Sequence, residues 1–154
     1  LVGDITALID CGAPINDGPM HVAAKAAFHH FEAWARGQDP PPGAALIELV
    51  DDSPTPAIRR DDDGIALGGL RLAPVDVPIE ALSGEPGPSG ELICQLFGST
   101  NPLPAEQLSR RFPTVTDYTT ADEAAIDGDV DDGHVLEADR AAMGEYMRTD
   151  RLDD

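Results

Sequence analysis

Proline and glycine interrupt this chain so often that few long elements are possible. The sequence has 154 residues, of which 14 are proline and 15 are glycine, and both types break helices and strands. The longest run free of them extends from Met20 to Arg36. With 42 % apolar residues, the sequence predicts a folded α+β protein with many turns and irregular connections.

A long amphipathic helix is predicted over residues 19–36. Asp17 or Gly18 is expected to cap it, Pro19 suits its first turn, and Gly37 ends it. Its apolar residues form one broad stripe: Met20, Ala23, Ala24, Ala27, Phe28, Phe31, Trp34 and Ala35. We expect this stripe to pack against a sheet or another helix, and to stay partly exposed if that surface is missing.

The middle of the chain predicts a small β-rich appendage. The expected strands are 46–50, 57–60 and 65–67, with a hairpin turn at 61–64 and further extended chain at 70–72 and 75–79. Residues 83–90 are expected to form a loop, and helices are expected at 103–112, 117–130 and 137–147. The predicted domain organisation has three parts. Residues 1–42 form the end of a larger folded body, residues 43–148 form an extension of it, and residues 149–154 form a tail.

The net charge of −19 excludes two classes of partner. Lys25 is the single lysine and the nine arginines are scattered, so no basic patch is available for nucleic-acid phosphates or for an anionic membrane surface. The acidity fits a salt-rich habitat or a GC-rich genome equally well.

Residues 1–10 lack the basic start and cleavage site of a signal peptide, which favours a cytoplasmic over a secreted protein. Because the apolar residues at 1–9 recur at helical spacing, they are interpreted as the tail of an element that begins earlier.

No motif predicts catalysis, a metal or a cofactor. The sequence contains no Gly-x-Ser-x-Gly, and the four histidines (His21, His29, His30 and His134) lack zinc-site spacing. The acids from Asp127 to Asp132 resemble a calcium loop, but the required glycine comes one residue late, at Gly133. His21, in the first turn of the predicted helix, is a candidate ligand contact, although a structural hydrogen bond is the commoner role for such a histidine.

Cys11 and Cys94 are the two cysteines. Two distant cysteines fit either buried thiols or one long-range disulfide, and the residues alone favour free thiols in a reducing compartment.

Several ordered segments resemble a known family. The run Cys11–His21, the following helix with Trp34 and residues 37–42 look like the closing part of a bacterial α/β-hydrolase domain family. The runs Ala66–Arg71 and Cys94–Pro102 look like the C-terminal extension of that family. The likeness runs from about Asp10 to Met143. The chain differs from the family pattern at residues 122–132, where acids replace an alanine-rich helix.

This resemblance implies a serine esterase-like protein whose nucleophile elbow and catalytic histidine lie before Leu1. The chain is then a C-terminal fragment of an ester or acyl hydrolase and inactive alone. Its partner is the missing hydrolase body, or a second copy through helix 19–36. The ligand-pocket candidates are Asn16, His21 and Arg71, and the family likeness also suggests that Cys11 and Cys94 pair. The alternative function is a free-standing acidic binding module without catalysis.

Overall fold

The computed structural model of the protein describes residues 10–51 and 54–152 and shows a mixed helical and β fold. Within these residues, the helices and strands are α1 Met20–Ala35, α2 Ala73–Asp76, β1 Glu80–Ser83, β2 Ser99–Pro102, α3 Ala105–Arg111, α4 Val115–Asp131 and α5 Arg140–Gly144. Short 3₁₀ helices occupy Leu92–Leu96, Glu137–Asp139 and Thr149–Arg151. The predicted element at residues 1–9 lies outside the described residues.

Helix α1 confirms the predicted long helix to within one residue at each end. Its N-cap is Pro19, and no side chain caps it, so the expected cap by Asp17 or Gly18 is wrong. Gly18 is instead held by the side chain of Asn16, whose Oδ1 accepts a hydrogen bond from the Gly18 N–H at 2.9 Å. Gly37 follows the helix with φ of 92°, a conformation that glycine adopts without strain.

The predicted appendage strands are replaced by three extended segments that meet through isolated bridges. Three backbone hydrogen bonds of 2.9 Å close a ring: Glu48 N–H to Leu67 O, Leu67 N–H to Arg59 O, and Arg59 N–H to Glu48 O. We call residues 45–69 the three-segment lobe. Because each segment bonds to both others, no pair continues into a regular ladder. Gly68 is required at its contact, since a Cβ there would lie 2.1 Å from the Leu46 carbonyl oxygen.

The regular sheet of the described chain has two strands and lies where none was predicted. β1 and β2 pair antiparallel, with Leu82 opposite Thr100. The predicted extended run at 75–79 is wrong over its first half, because α2 occupies residues 73–76. Pro74 lies in the first turn of this helix, a position where its missing N–H costs nothing. The loop predicted at 83–90 begins at the last residue of β1.

The C-terminal helices follow the prediction in number and order. Helix α4 begins with a capping box, in which Thr114 Oγ1 accepts from the Asp117 N–H at 3.1 Å and the Asp117 carboxylate accepts from the Thr114 N–H. The residues that resembled a calcium loop form the end of α4. At this helix end the Asp129 side chain is buried, whereas the Asp127 side chain is exposed to solvent. Within the described chain no group of three acidic, histidine or cysteine side chains is placed to hold a metal.

Two apolar clusters form the core, and α4 contributes to both. One cluster contains Val22, Leu72, Ala73, Ile126, Val135 and Met143. The other contains Ile79, Leu103, Leu108, Phe112 and Tyr118. Because Val22 of α1 packs with residues of the later segments, the chain on either side of the predicted boundary at 42/43 shares one core.

A disulfide joins Cys11 to Cys94 across 83 residues of sequence, with their Cα atoms 5.5 Å apart. The expectation of free thiols from residue type alone is therefore wrong for this structure, and the pairing that the family resemblance implied is present. The bond attaches the segment before α1 to the loop between β1 and β2. The same loop donates a hydrogen bond from the Ser89 N–H to the Cys11 carbonyl at 3.3 Å. Buried disulfides of this kind are typical of proteins that mature in oxidising compartments.

Removing the disulfide is expected to destabilise the fold strongly. In the chain-entropy treatment a closed loop of this length stabilises by about 4.5 kcal/mol. The double variant Cys11→Ser with Cys94→Ser should therefore lower the free energy of unfolding by about 2–4 kcal/mol, as measured by urea denaturation. Reduced wild type should match the variant. An unchanged midpoint in both would contradict a structural role for the bond.

Candidate functional site

Asn16 is held by structural hydrogen bonds beside an apolar cleft. Its Nδ2 donates to the Ser83 carbonyl at 3.1 Å, while its Oδ1 accepts from the Gly18 N–H. These bonds fix the turn that leads into α1 against the end of β1. Asn16 also lines a cleft of about 220 Å³ with Met20, Ala23, Leu70 and Leu82 among its neighbours. Its role as a ligand contact stays a prediction.

The other two candidates point to other neighbours. The Arg71 guanidinium donates to the Asp76 carboxylate at 2.5 Å, to the Ala66 carbonyl at 2.7 Å and to the Val75 carbonyl at 3.1 Å. It therefore holds the end of the three-segment lobe against α2. Arg71 is not among the residues that line the cleft beside Asn16. His21 lies on an exposed side of α1, where its Nδ1 is 3.3 Å from the Tyr146 hydroxyl. The structure does not bring the three candidates to one site.

The described histidines His30 and His21 contact groups other than serines or carboxylates. His30 Nε2 lies 2.9 Å from the Gly133 carbonyl, and the neighbouring exposed His29 contacts its ring edge-on. Within residues 10–51 and 54–152, no histidine side chain bonds to a serine or a carboxylate. A polar cleft of about 420 Å³ contains Ser99, but the Ser99 hydroxyl donates to the Glu85 carbonyl at 2.9 Å. A serine without a base beside it is a weak nucleophile.

Among the described residues, one exposed apolar feature is the aromatic side of α1, which we call the outer face. Met20, Phe28, Phe31 and Trp34 are 79 %, 74 %, 57 % and 50 % exposed. The helix instead buries its opposite side, where Val22 and Ala26 are 0 % and 2 % exposed. The bulky residues of the predicted stripe therefore do not pack against other described elements, whereas its Ala23 packs against the core cluster. This agrees with the expectation that part of the stripe stays exposed where a partner surface is missing. Small residues reach the core cluster because α1 approaches it closely, whereas the bulky residues face outward.

Two apolar clefts flank this helix. The cleft beside Asn16 and a second cleft of about 220 Å³, bounded by the connector at 41–44, share Ala23 and Leu70 as common lining residues. Met20 belongs to the first cleft and Ala27 to the second. The clefts thus lie along the same helix as the outer face and extend its apolar surface toward Leu70, which is 44 % exposed. An apolar surface of this extent is typical of an interface with another protein surface.

Comparison with protein families identifies the family of this chain. A model of the alpha/beta hydrolase domain family matches residues 2–145. The chain belongs to this family. No curated protein and no solved structure matches it. The family that the sequence resembled is thereby confirmed, and its bacterial origin and the C-terminal position of the chain stay predictions.

This hydrolase-domain chain also buries two acids on α4. Asp129 is 7 % exposed, and its Oδ2 accepts a hydrogen bond from the Ala73 N–H at 2.8 Å, at the start of α2. Asp122 is 2 % exposed, and among the described atoms its Oδ2 has no hydrogen-bond partner. Burial raises the pKa of each carboxyl to about 6. No cleft described above contains either acid, so both belong to the core of the hydrolase domain.

Asp122 should make stability fall as the pH rises. Its pKa is about 6 in the folded state, against the ordinary value of 3.8 for a solvated aspartate, so between these values the folded state retains a proton that the unfolded state releases. Asp122→Asn removes this difference. We expect the variant to gain stability relative to wild type from pH 4 to pH 7, by about 2 kcal/mol, in urea titrations at each pH. Exposed Asp131→Asn on the same helix is the matched charge control, and an equal gain there would contradict the proposed effect of burial.

The orientation of α1 predicts unequal effects of substitutions on its two sides. Phe28→Ser on the outer face should change the free energy of unfolding of this chain by less than about 0.5 kcal/mol. Val22→Ala should cost about 2 kcal/mol, because it removes buried methyl groups. Urea denaturation measures both changes in the free energy of unfolding. The fluorescence emission of Trp34, the single tryptophan, should resemble that of indole in water. A larger loss for Phe28 than for Val22 would contradict this orientation.

Proposed function

We propose that this chain is the non-catalytic C-terminal part of an ester or acyl hydrolase of the α/β-hydrolase class, and that it is inactive alone. Its family membership supports the hydrolase class. The sequence has no Gly-x-Ser-x-Gly, and its described histidines His30 and His21 are bonded to a backbone carbonyl and a tyrosine. The observation that carries the proposal is the exposed outer face of α1, which gives the chain a docking role in place of a catalytic one.

The outer face suits the surface of a hydrolase sheet. Parallel sheets in α/β proteins are apolar on both faces and are covered there by helices. Among the described residues the sheet consists of two short antiparallel strands, which cannot offer α1 such a surface. The proposed partner is therefore the sheet of a hydrolase body that carries the nucleophile, the base and the oxyanion donors.

Energetics favour a covalent connection between the two parts. Fully burying a large apolar side chain stabilises by about 1.5–3 kcal/mol, so the four large residues of the outer face give at most about 6–12 kcal/mol. Association of separate chains costs on the order of 4–15 kcal/mol. The two ranges overlap, so docking of a separate body would be weak. A body within the same polypeptide avoids most of that cost.

The chain alone should not hydrolyse esters. A serine hydroxyl needs a base and oxyanion donors to attack a carbonyl at a useful rate, and the proposal places these groups on the hydrolase body. We expect pure protein to give no turnover of short-chain nitrophenyl esters and no serine labelling by a fluorophosphonate, with a known esterase as the positive control. Turnover above buffer together with label on one serine would overturn the proposal.

The docking role is tested by sequencing the DNA that precedes this coding region. The proposal expects the DNA upstream of the Leu1 codon to continue in frame and to encode Gly-x-Ser-x-Gly. In that longer protein the emission of Trp34 should shift to shorter wavelength, and Phe31→Ser should now cost stability. A start codon next to Leu1 would overturn the proposal and favour a free-standing acidic binding module. A concentration-dependent dimer of the 154-residue chain would instead identify self-association through α1.

A further inference from the structure

The cleft bounded by the connector at 41–44 lies where several parts of the fold meet, and we call it the connector cleft. Alanines of α1 line one wall, prolines of the connector line a second, and Gly133 and His134, in the turn after α4, line a third. Leu70 also belongs to the lining. The volume of the cleft is about 220 Å³. An apolar cavity of about 150 Å³ is enough to hold benzene, so the connector cleft has room for a single ring.

His134 contributes a polar atom without a partner to these largely apolar walls. Its Nε2 is buried and has no hydrogen-bond partner among the described atoms. The backbone that carries the ring is held in place, because the His134 N–H donates to the Asp129 carbonyl at 2.9 Å. The next residue, Val135, is 1 % exposed in the core. A buried polar atom without a partner lowers stability, so a ligand that pairs with Nε2 would recover that loss.

The second histidine of the cleft is already paired at the corresponding atom. His30 Nε2 lies 2.9 Å from the Gly133 carbonyl, and because a carbonyl oxygen can only accept, this nitrogen is the donor. His134 Nε2 is therefore left as an anchor for a ligand. Apolar walls with few placed polar groups are typical of sites that bind small molecules.

The chemistry of this anchor selects a hydroxyl group. A ring nitrogen of neutral histidine donates in one tautomer and accepts in the other, and a hydroxyl can do both. A hydroxyl therefore pairs with Nε2 in either tautomer, whereas a carbonyl oxygen only accepts and an ammonium group only donates. We propose that the connector cleft binds a small neutral aromatic alcohol of the phenol class, with its hydroxyl on His134 Nε2 and its ring between the alanines of α1 and the connector prolines. This inference goes beyond the proposed function and does not depend on what α1 docks against.

The surrounding charge disfavours an anionic ligand of the same size. A neighbouring cleft shares His30, Pro42 and Gly133 with the connector cleft and is also lined by the exposed Asp131 and Asp132. The whole chain carries a net charge of −19. A carboxylate such as benzoate has a ring that fits but is repelled by this charge, so the ligand is neutral.

Binding of phenol and toluene to the full, oxidised chain tests the proposal, because the two molecules differ only by a hydroxyl in place of a methyl group. Each is titrated while the signals of the alanine methyl groups are followed by NMR. The ratio of phenol affinity to toluene affinity should be about tenfold higher in wild type than in His134→Leu, since one hydrogen bond is lost. The ratio cancels changes in packing. His29→Leu, at an exposed histidine of α1, is the matched control and should keep the wild-type ratio.

A second measurement needs no variant. In wild type, phenol should shift the nitrogen resonance of His134 Nε2 strongly, toluene should shift it little, and benzoate should bind more weakly than phenol. Equal phenol-to-toluene ratios in wild type and His134→Leu would overturn the proposal. The absence of phenol binding, an unshifted Nε2 resonance, or benzoate binding as tight as that of phenol would also overturn it.

Discussion

The rest of the structure depends on the burial of one side of α4. Tyr118 of this helix packs in one apolar cluster and Ile126 in the other, so α4 joins two cores that would each be small alone. Its Asp129 also accepts the hydrogen bond that begins α2. The helix therefore sets the positions of α2 and α5 around it. Two carboxyls buried on the same side reduce the stability gained from this packing at neutral pH.

The sequence predicted the helices well because their apolar residues recur with helical period over long runs. The extent of α1 followed from Pro19 and Gly37, and the C-terminal helices are separated in the sequence by Pro113 and Gly133. The direction in which α1 faces did not follow, because periodicity gives the most apolar side of a helix and not the side that touches the chain's own core. Val22 and Ala26 carried no signal strong enough to compete with Phe28 and Trp34.

The β-rich part and the candidate site were predicted less well. Short segments such as those around Glu48 and Arg59 pair through single long-range bridges, which leave no period in the sequence. Asn16 and Arg71 are candidate ligand contacts in the sequence, and in the structure both side chains make structural hydrogen bonds. Residue type alone does not reveal these partners, and the Ser83 partner of Asn16 is also distant in sequence.

The ring of three hydrogen bonds in the three-segment lobe has a consequence for how that part of the molecule moves. In an open sheet an outer strand can detach while the inner pairs remain, so opening is gradual. In the ring, the segments around Glu48, Arg59 and Leu67 each supply a donor to one neighbour and an acceptor to the other. Loss of any one segment leaves both of the others with unpaired groups. The lobe should therefore open as a single cooperative unit, and hydrogen exchange of its three ring amides should give one common free energy of opening.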